Sequence, residues 1–189
     1  MKTFETDRLI LKKPTIKEQY DLWNILKKEE VNKYYIVTPK RFNNREEFIK
    51  ELNIWNKQKE FYQKKIDNLD SDEYKYTWSI FLKDNTVIGQ ITVQPNNDYP
   101  NDQKIRDIGW FIDPKYKNKG YMYEAASVVL DYMFKEVKIE KIETSSAQIN
   151  ISSWKLMEKL GFKRIEKINS PYLDENNNCL PGYKYEIRR

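Results

Sequence analysis

The residues of this chain whose types and spacing could do chemistry lie between Asp107 and Phe162. There, Asp113-Pro114-Lys115-Tyr116-Lys117-Asn118-Lys119-Gly120-Tyr121 sets three lysines at alternate positions ahead of a glycine and an apolar-striped segment. A loop of this kind opening a helix exposes backbone N–H groups at the positive end of the helix dipole, and glycine lets the backbone approach a ligand closely. Those properties suit a pyrophosphate. A solvated turn into an ordinary helix is the other reading of the same residues. Farther on, Asn150-Ile151-Ser152-Ser153 precedes a second apolar-periodic segment that ends in Gly161-Phe162. Asn150 and Ser153 read as helix caps or as polar groups held toward a ligand. Outside this stretch little looks catalytic. There is no histidine, and the single cysteine, Cys179, excludes an internal disulfide and leaves no zinc cluster, so no metal site is expected.

The elements that must position these residues follow from periodicity and punctuation. Residues 105–112 form a β-rich run stopped by Asp113-Pro114, and 120–134 carry a helical stripe of Ala125, Ala126, Val129, Leu130 and Met133. Residues 141–148 read as a strand. Ser152 or Ser153 starts the next helix, with Trp154, Leu156, Met157 and Leu160 apolar and Gly161 as its C′ glycine. Residues 162–168 and 183–187 are the last strands, joined by a loop over 169–182. Upstream, 8–13 is a short strand stopped by Pro14, and Thr15 with Glu18 makes a capping box for a helix reaching about Lys28. Residues 31–39 are irregular and aromatic. Phe48, Leu52, Trp55 and Tyr62 mark a long amphipathic helix to about Ile66, followed by an acidic loop over 67–73. Residues 76–82 and 87–93 flank Asp84-Asn85 and predict a hairpin.

Composition sets the class. The 189 residues, 39% hydrophobic and 14% aromatic, predict one domain over 1–189 with a real core, although 33% are charged and mean hydropathy is -0.89. The net charge of +5 favours anionic ligands; diluted by 29 acids, it does not make the chain a nucleic-acid binder. The opening residues lack an apolar signal core and no run reaches the ~20 residues of a membrane span, so a reducing cytoplasm and no membrane partner are expected.

In combination these pieces resemble the GNAT superfamily of acyl-CoA-dependent N-acyltransferases, and within it the RimJ/RimL-like branch. Glu5-Thr6-Asp7-Arg8-Leu9-Ile10-Leu11-Lys12 resembles that branch's start. Val87-Ile88-Gly89-Gln90-Ile91 looks like its third strand, and Asp107-Ile108-Gly109-Trp110-Phe111-Ile112-Asp113-Pro114 like its fourth. Lys119-Gly120-Tyr121 with Glu124-Ala125 resembles the pyrophosphate loop and following helix. Asn150-x-x-Ser153-x-x-Leu156-x-Glu158-Lys159-Leu160-Gly161-Phe162 is similar to the second half of the cofactor site. The family loop usually runs Gln/Arg-x-x-Gly-x-Gly. Here Lys115 and Asn118 replace its first residue and first glycine, and asparagine tolerates positive φ better than most residues.

The resemblance implies an α/β (mixed α+β) fold: a mostly antiparallel twisted sheet of about six to seven strands, splayed at the cofactor site and flanked by about four helices. It implies direct acetyl transfer from acetyl-CoA to a primary amine, either a protein N-terminus or a small-molecule amine or antibiotic. Cofactor contacts are then expected from Trp110, Phe111, Ile112, Lys117, Asn118, Lys119, Gly120, Tyr121, Met122, Asn150 and Ser153. Many members carry a tyrosine acid where this chain has Met157; in this branch a serine serves, which assigns Ser153. With no histidine, the base is a carboxylate, a tyrosine or ordered water. Asp107 is the first choice, ahead of Asp174 and Glu175. Trp23, Tyr34, Tyr35 and Tyr172 are expected around the acceptor, and a homodimer is a family-level expectation. The alternative is a weakly catalytic CoA-binding or protein- or RNA-interaction module on the same fold.

Overall fold

The computed structural model describes residues 1–34, 75–174 and 178–189. The expected helix from Phe48 to Ile66 and the acidic loop over 67–73 lie outside the described residues, as do Tyr35 and Glu175. An eight-stranded sheet runs in the order β1-β2-β3-β4-β5-β6-β8-β7. Its strands are β1 (Phe4–Glu5), β2 (Leu9–Lys12), β3 (Tyr76–Leu82), β4 (Val87–Pro95), β5 (Ile105–Ile112), β6 (Lys141–Ala147), β7 (Lys163–Leu173) and β8 (Cys179–Arg188). The helices are α1 (Ile16–Leu26), α2 (Glu29–Asn32), α3 (Tyr121–Lys135) and α4 (Ile151–Lys159), with a 3-10 turn at Pro114–Tyr116. The fold is the mixed, mostly antiparallel α/β arrangement expected.

All neighbouring strands pair antiparallel except β5 and β6. That parallel pair is short: Ile105, Arg106 and Asp107 face Lys141, Ile142 and Glu143. Beyond Asp107 the ladder stops, although β5 stays paired with β4 to Gly89–Ile112 and β6 with β8 to Ala147–Gly182. The sheet therefore opens into a V whose apex is Asp107 and Glu143. One sheet face packs Trp78, Ile91, Val93 and Ile108 against the Ala125, Ala126, Val129, Leu130 and Met133 stripe of α3. Burying each larger side chain of that stripe contributes roughly 1.5–3 kcal/mol.

Several boundaries differ from the sequence expectation. The first helix stops at Leu26, and residues 29–32, read in part as irregular, form the separate turn α2. The loop expected over 169–182 is largely strand, because β7 and β8 run on to Leu173 and from Cys179. A register shift between Asn169 and Leu173 spans Pro171, and the Ser170 hydroxyl donates to the Leu180 carbonyl at 2.6 Å. Gly182 is needed for close approach: a Cβ there would stand 2.8 Å from the Ser146 carbonyl oxygen. The two-residue β1 carries no periodicity of its own and is set by pairing with β2.

Candidate active site

The loop ahead of α3 takes the shape its residues permit. Asp113 caps the 3-10 turn by accepting from the Lys115 N–H, and the chain then turns through Asn118 at φ 60° and Gly120 at φ 80°. Gly120 is the N-cap of α3, so the first-turn N–H groups of that helix have no partner within it. The loop is braced from outside. Arg8 donates from Nη1 to the Lys119 carbonyl at 2.9 Å and from Nε to Glu124 at 2.7 Å, and Thr6 donates to Glu124 at 2.6 Å. Lys28 pairs with Asp113 at 2.7 Å, and Lys117 donates to the Glu30 carbonyl at 3.2 Å, which ties α2 across the loop.

These elements enclose a cavity of about 320 Å³. Trp110, Phe111, Ile112, Lys117, Asn118, Gly120, Tyr121, Met122, Asn150 and Ser153 all line it. Lys119 is not among the lining residues; Arg8 holds its carbonyl, and its ammonium lies 5.4 Å from the Tyr116 ring centre. Lys155 and Lys159 of α4 also line the cavity; Lys159 lies in the motif that resembles the second half of the cofactor site, and Lys155 falls between its specified positions. Asn150 is the N-cap of α4 by position, yet its side chain makes no capping bond; its Oδ1 accepts from the Ser152 hydroxyl at 3.3 Å.

A second, larger cavity of about 640 Å³ opens on the other side of the V. The two share Tyr34, Trp110, Asn150 and Ser153 in their walls. Asp107, Glu143, Asp98, Glu166 and Lys184 line the second one. Its floor is a polar network. Asn96, 2% exposed, donates from Nδ2 to Asp107 at 2.7 Å and to Glu143 at 2.9 Å, while its Oδ1 accepts the Asp98 and Tyr99 N–H groups. Glu143 is paired with Lys141 at 2.6 Å and Lys184 at 3.2 Å, and Lys184 reaches Asp98 at 2.8 Å. Burial and the neighbouring Glu143 charge, only partly offset by the Asn96 hydrogen bond, push the Asp107 carboxyl up to about 6. Burial raises Glu143 too, but bonds from Lys141, Lys184 and Asn96 outweigh it and hold that carboxyl low.

Of the residues expected around the acceptor, Tyr34 lines both cavities. Trp23 is buried, 8% exposed, and is not among the residues lining either. Tyr172 lies on β7, with its side chain outside the description. Asp174 accepts the Asn178 N–H at 2.8 Å at the β7–β8 turn. Met157, 2% exposed, belongs to the core and touches the second cavity.

A loop-to-helix cradle beside a splayed β5–β6 pair has a counterpart among known proteins. Residues 8–163 match the model of the acetyltransferase (GNAT) domain. The chain belongs to the GNAT family. Among curated GNAT relatives, the uncharacterized N-acetyltransferase YnaD of Bacillus subtilis (strain 168) is 37% identical over 81 residues, 43% of this chain and 47% of that protein. The chain thus spans about half the length of that relative. The crystal structure of a GNAT-family acetyltransferase from Bacillus anthracis superposes at a TM-score of 0.71 with 25% identity, covering 99% of this chain and 98% of the other. RimJ of Mycobacterium smegmatis, in complex with CoA-disulfide, shares the fold at a TM-score of 0.73 with 14% identity, over 95% of this chain and 81% of its own. No helix among the described residues is long and apolar enough to cross a membrane.

Proposed function

We propose that this protein transfers an acetyl group from acetyl-CoA directly to a primary amine. The observation that carries the reading is the joining of two cavities at the V, with Ser153, Asn150 and Trp110 in the walls of both. The donor-side cavity fits a CoA in its chemistry. The first-turn N–H groups of α3 and the Lys117, Lys155 and Lys159 ammonium groups match a pyrophosphate and its charge. The backbone of residues 110–112, unpaired with β6, offers strand-like hydrogen bonds to a pantetheine arm. Bound there, acetyl-CoA supplies an activated thioester that an amine nitrogen can attack.

The chain's own residues manage position and protons. Asn150 holds the arm with its side-chain amide, and a backbone N–H of β5 polarises the thioester carbonyl. Asp107 takes the proton that an ammonium must lose before its nitrogen can attack, directly or through water. The Ser153 hydroxyl gives a proton to the departing sulfur and recovers one from solvent, so that the nitrogen–carbon bond forms as the carbon–sulfur bond breaks. Cys179 is exposed at the start of β8, and no covalent intermediate is needed.

Incubation with acetyl-CoA labelled in the acetyl group, with small amines and peptides bearing free N-termini, tests this. The label is expected in the amine by mass spectrometry. Label found only on the protein, or in no product, overturns direct transfer.

A further inference from the structure

One buried group of the acceptor-side cavity has no role in the chemistry above. Gln90 on β4 is 3% exposed and lines this cavity, and its Nε2 has no hydrogen-bond partner among the described residues. Directly opposite on β3, Ser79 is fully buried and its Oγ is likewise without a partner among them. Leaving a buried donor unpaired is costly, and folded proteins pair nearly all such groups. Gln90 is also part of a pattern. Gln90, Thr92 and Gln94 alternate along one face of β4, continued by Asn96, and Thr77 of β3 joins them in the cavity wall. A face covered only by protein would carry apolar residues at these positions, as the opposite face does with Ile91 and Val93.

The same cavity carries Asp98, Asp107, Glu143 and Glu166 against Lys184, an excess of negative charge suited to a cation. Gln90 adds a different demand. An amide N–H donates, so it calls for an oxygen rather than a second ammonium. Its place in the sheet says where that oxygen lies. Gln90 is paired with Phe111, which lines the donor-side cavity, so the oxygen falls close to the point of transfer.

We propose that Gln90 selects the acceptor: its Nε2–H donates to a carbonyl or hydroxyl oxygen a few bonds from the reacting nitrogen. The preferred substrate is then a cationic amine that carries a neutral oxygen near the amine, and bare alkylamines and oxygen-free polyamines are poor acceptors. This rests on the acetyl-transfer reading. A site built around a donor discriminates strongly, because the analogue lacking the oxygen leaves the buried N–H unpaired.

The test uses the full chain, acetyl-CoA and amines in matched pairs, glycinamide against n-propylamine and glucosamine against cyclohexylamine, with spermidine as the oxygen-free polyamine. Wild type is expected to favour the oxygen-bearing member of each pair by about tenfold or more in kcat/KM. Gln90→Leu should erase most of that preference by raising KM for glycinamide and glucosamine, with n-propylamine turnover unchanged or improved. Gln90→Met nearly keeps the length and volume but removes the donor, so it should lose the preference as well. An unchanged thermal shift with acetyl-CoA shows that each variant is folded. If wild type turns over amines and both variants keep its preference, the Gln90 assignment is wrong and acetyl transfer stands. If wild type turns over none of these amines while binding acetyl-CoA, the transfer reading falls and the Gln90 assignment with it.

Discussion

At position 107 stability and the proposed chemistry pull in opposite directions. The Asp107 carboxyl is held up to about 6 by burial and by Glu143, against an ordinary 3.8. Below about pH 3 it is protonated folded or unfolded and costs nothing. As pH rises toward 6 the unfolded chain releases the proton first, so stability is lost across that window and stays lost above it. Asp107→Asn keeps an acceptor for Asn96 and removes this slope. Its melting temperature should match wild type near about pH 3 and exceed it at pH 8, by about 1–3 kcal/mol in denaturant titrations, while acetyl transfer falls by about 100-fold or more. Equal pH dependence of the two proteins would falsify the buried-carboxyl account. The groups facing Asp107 are Glu143 of β6, Asp98 after β4, Lys184 of β8 and the neutral Asn96. Removing the Glu143 charge removes the like charge that helps to raise Asp107. Glu143→Gln should therefore move the acid limb of the rate–pH profile below 6, whereas an upward move would contradict the assignment. Asp107 and Ser153 were legible because they sit inside a recognisable run of sequence. Asn96, Glu143 and Lys184 were not, since they meet Asp107 only through the pairing of β4, β5, β6 and β8. The polar alternation of Gln90, Thr92, Gln94 and Asn96 was the available signal.

Among the elements, the loop before α3 is the most exacting. Gly120 stands at φ 80°, and a Cβ there would meet the Arg8 guanidinium at 3.3 Å. Gly120→Val should weaken acetyl-CoA affinity by about tenfold or more, since a β-branched residue at positive φ costs about 1–3 kcal/mol; calorimetry showing unchanged affinity would separate this loop from the cofactor. Asn118 already occupies φ 60°, so Asn118→Gly should leave affinity within about threefold, because glycine takes that conformation freely. The loop, α3 and the β3–β4 hairpin could be read from sequence because each signal is local: a glycine, an apolar stripe, an Asp-Asn turn. The extension of β7 and β8 could not, because it depends on a register shift between the two strands and on the close approach of Gly182 to Ser146 of β6. Nor could α2 be read as the wall over the loop, which depends on Lys28 and Lys117 reaching across chain-distant contacts.

For the whole molecule, the decisive feature is that β5 and β6 part after three paired residues while each keeps its other neighbour. Sequence resemblance implied such an opening; periodicity alone did not, because alternation says which face a residue takes and not which strand it leaves. A net charge of +5 and the lysines around the donor-side cavity favour an anionic donor. Acetyl-CoA at about 100 times its Kd should add roughly 2.7 kcal/mol and raise the melting temperature by about 5–10 °C. The most direct measurement is release of CoA thiol from acetyl-CoA, followed with and without amine, for wild type and Ser153→Ala. The account predicts thiol release that depends on added amine, matches acetylated amine mole for mole, and drops by about tenfold or more in the variant. Release that ignores the amine, or none in the presence of acceptors across the pH range, would contradict it.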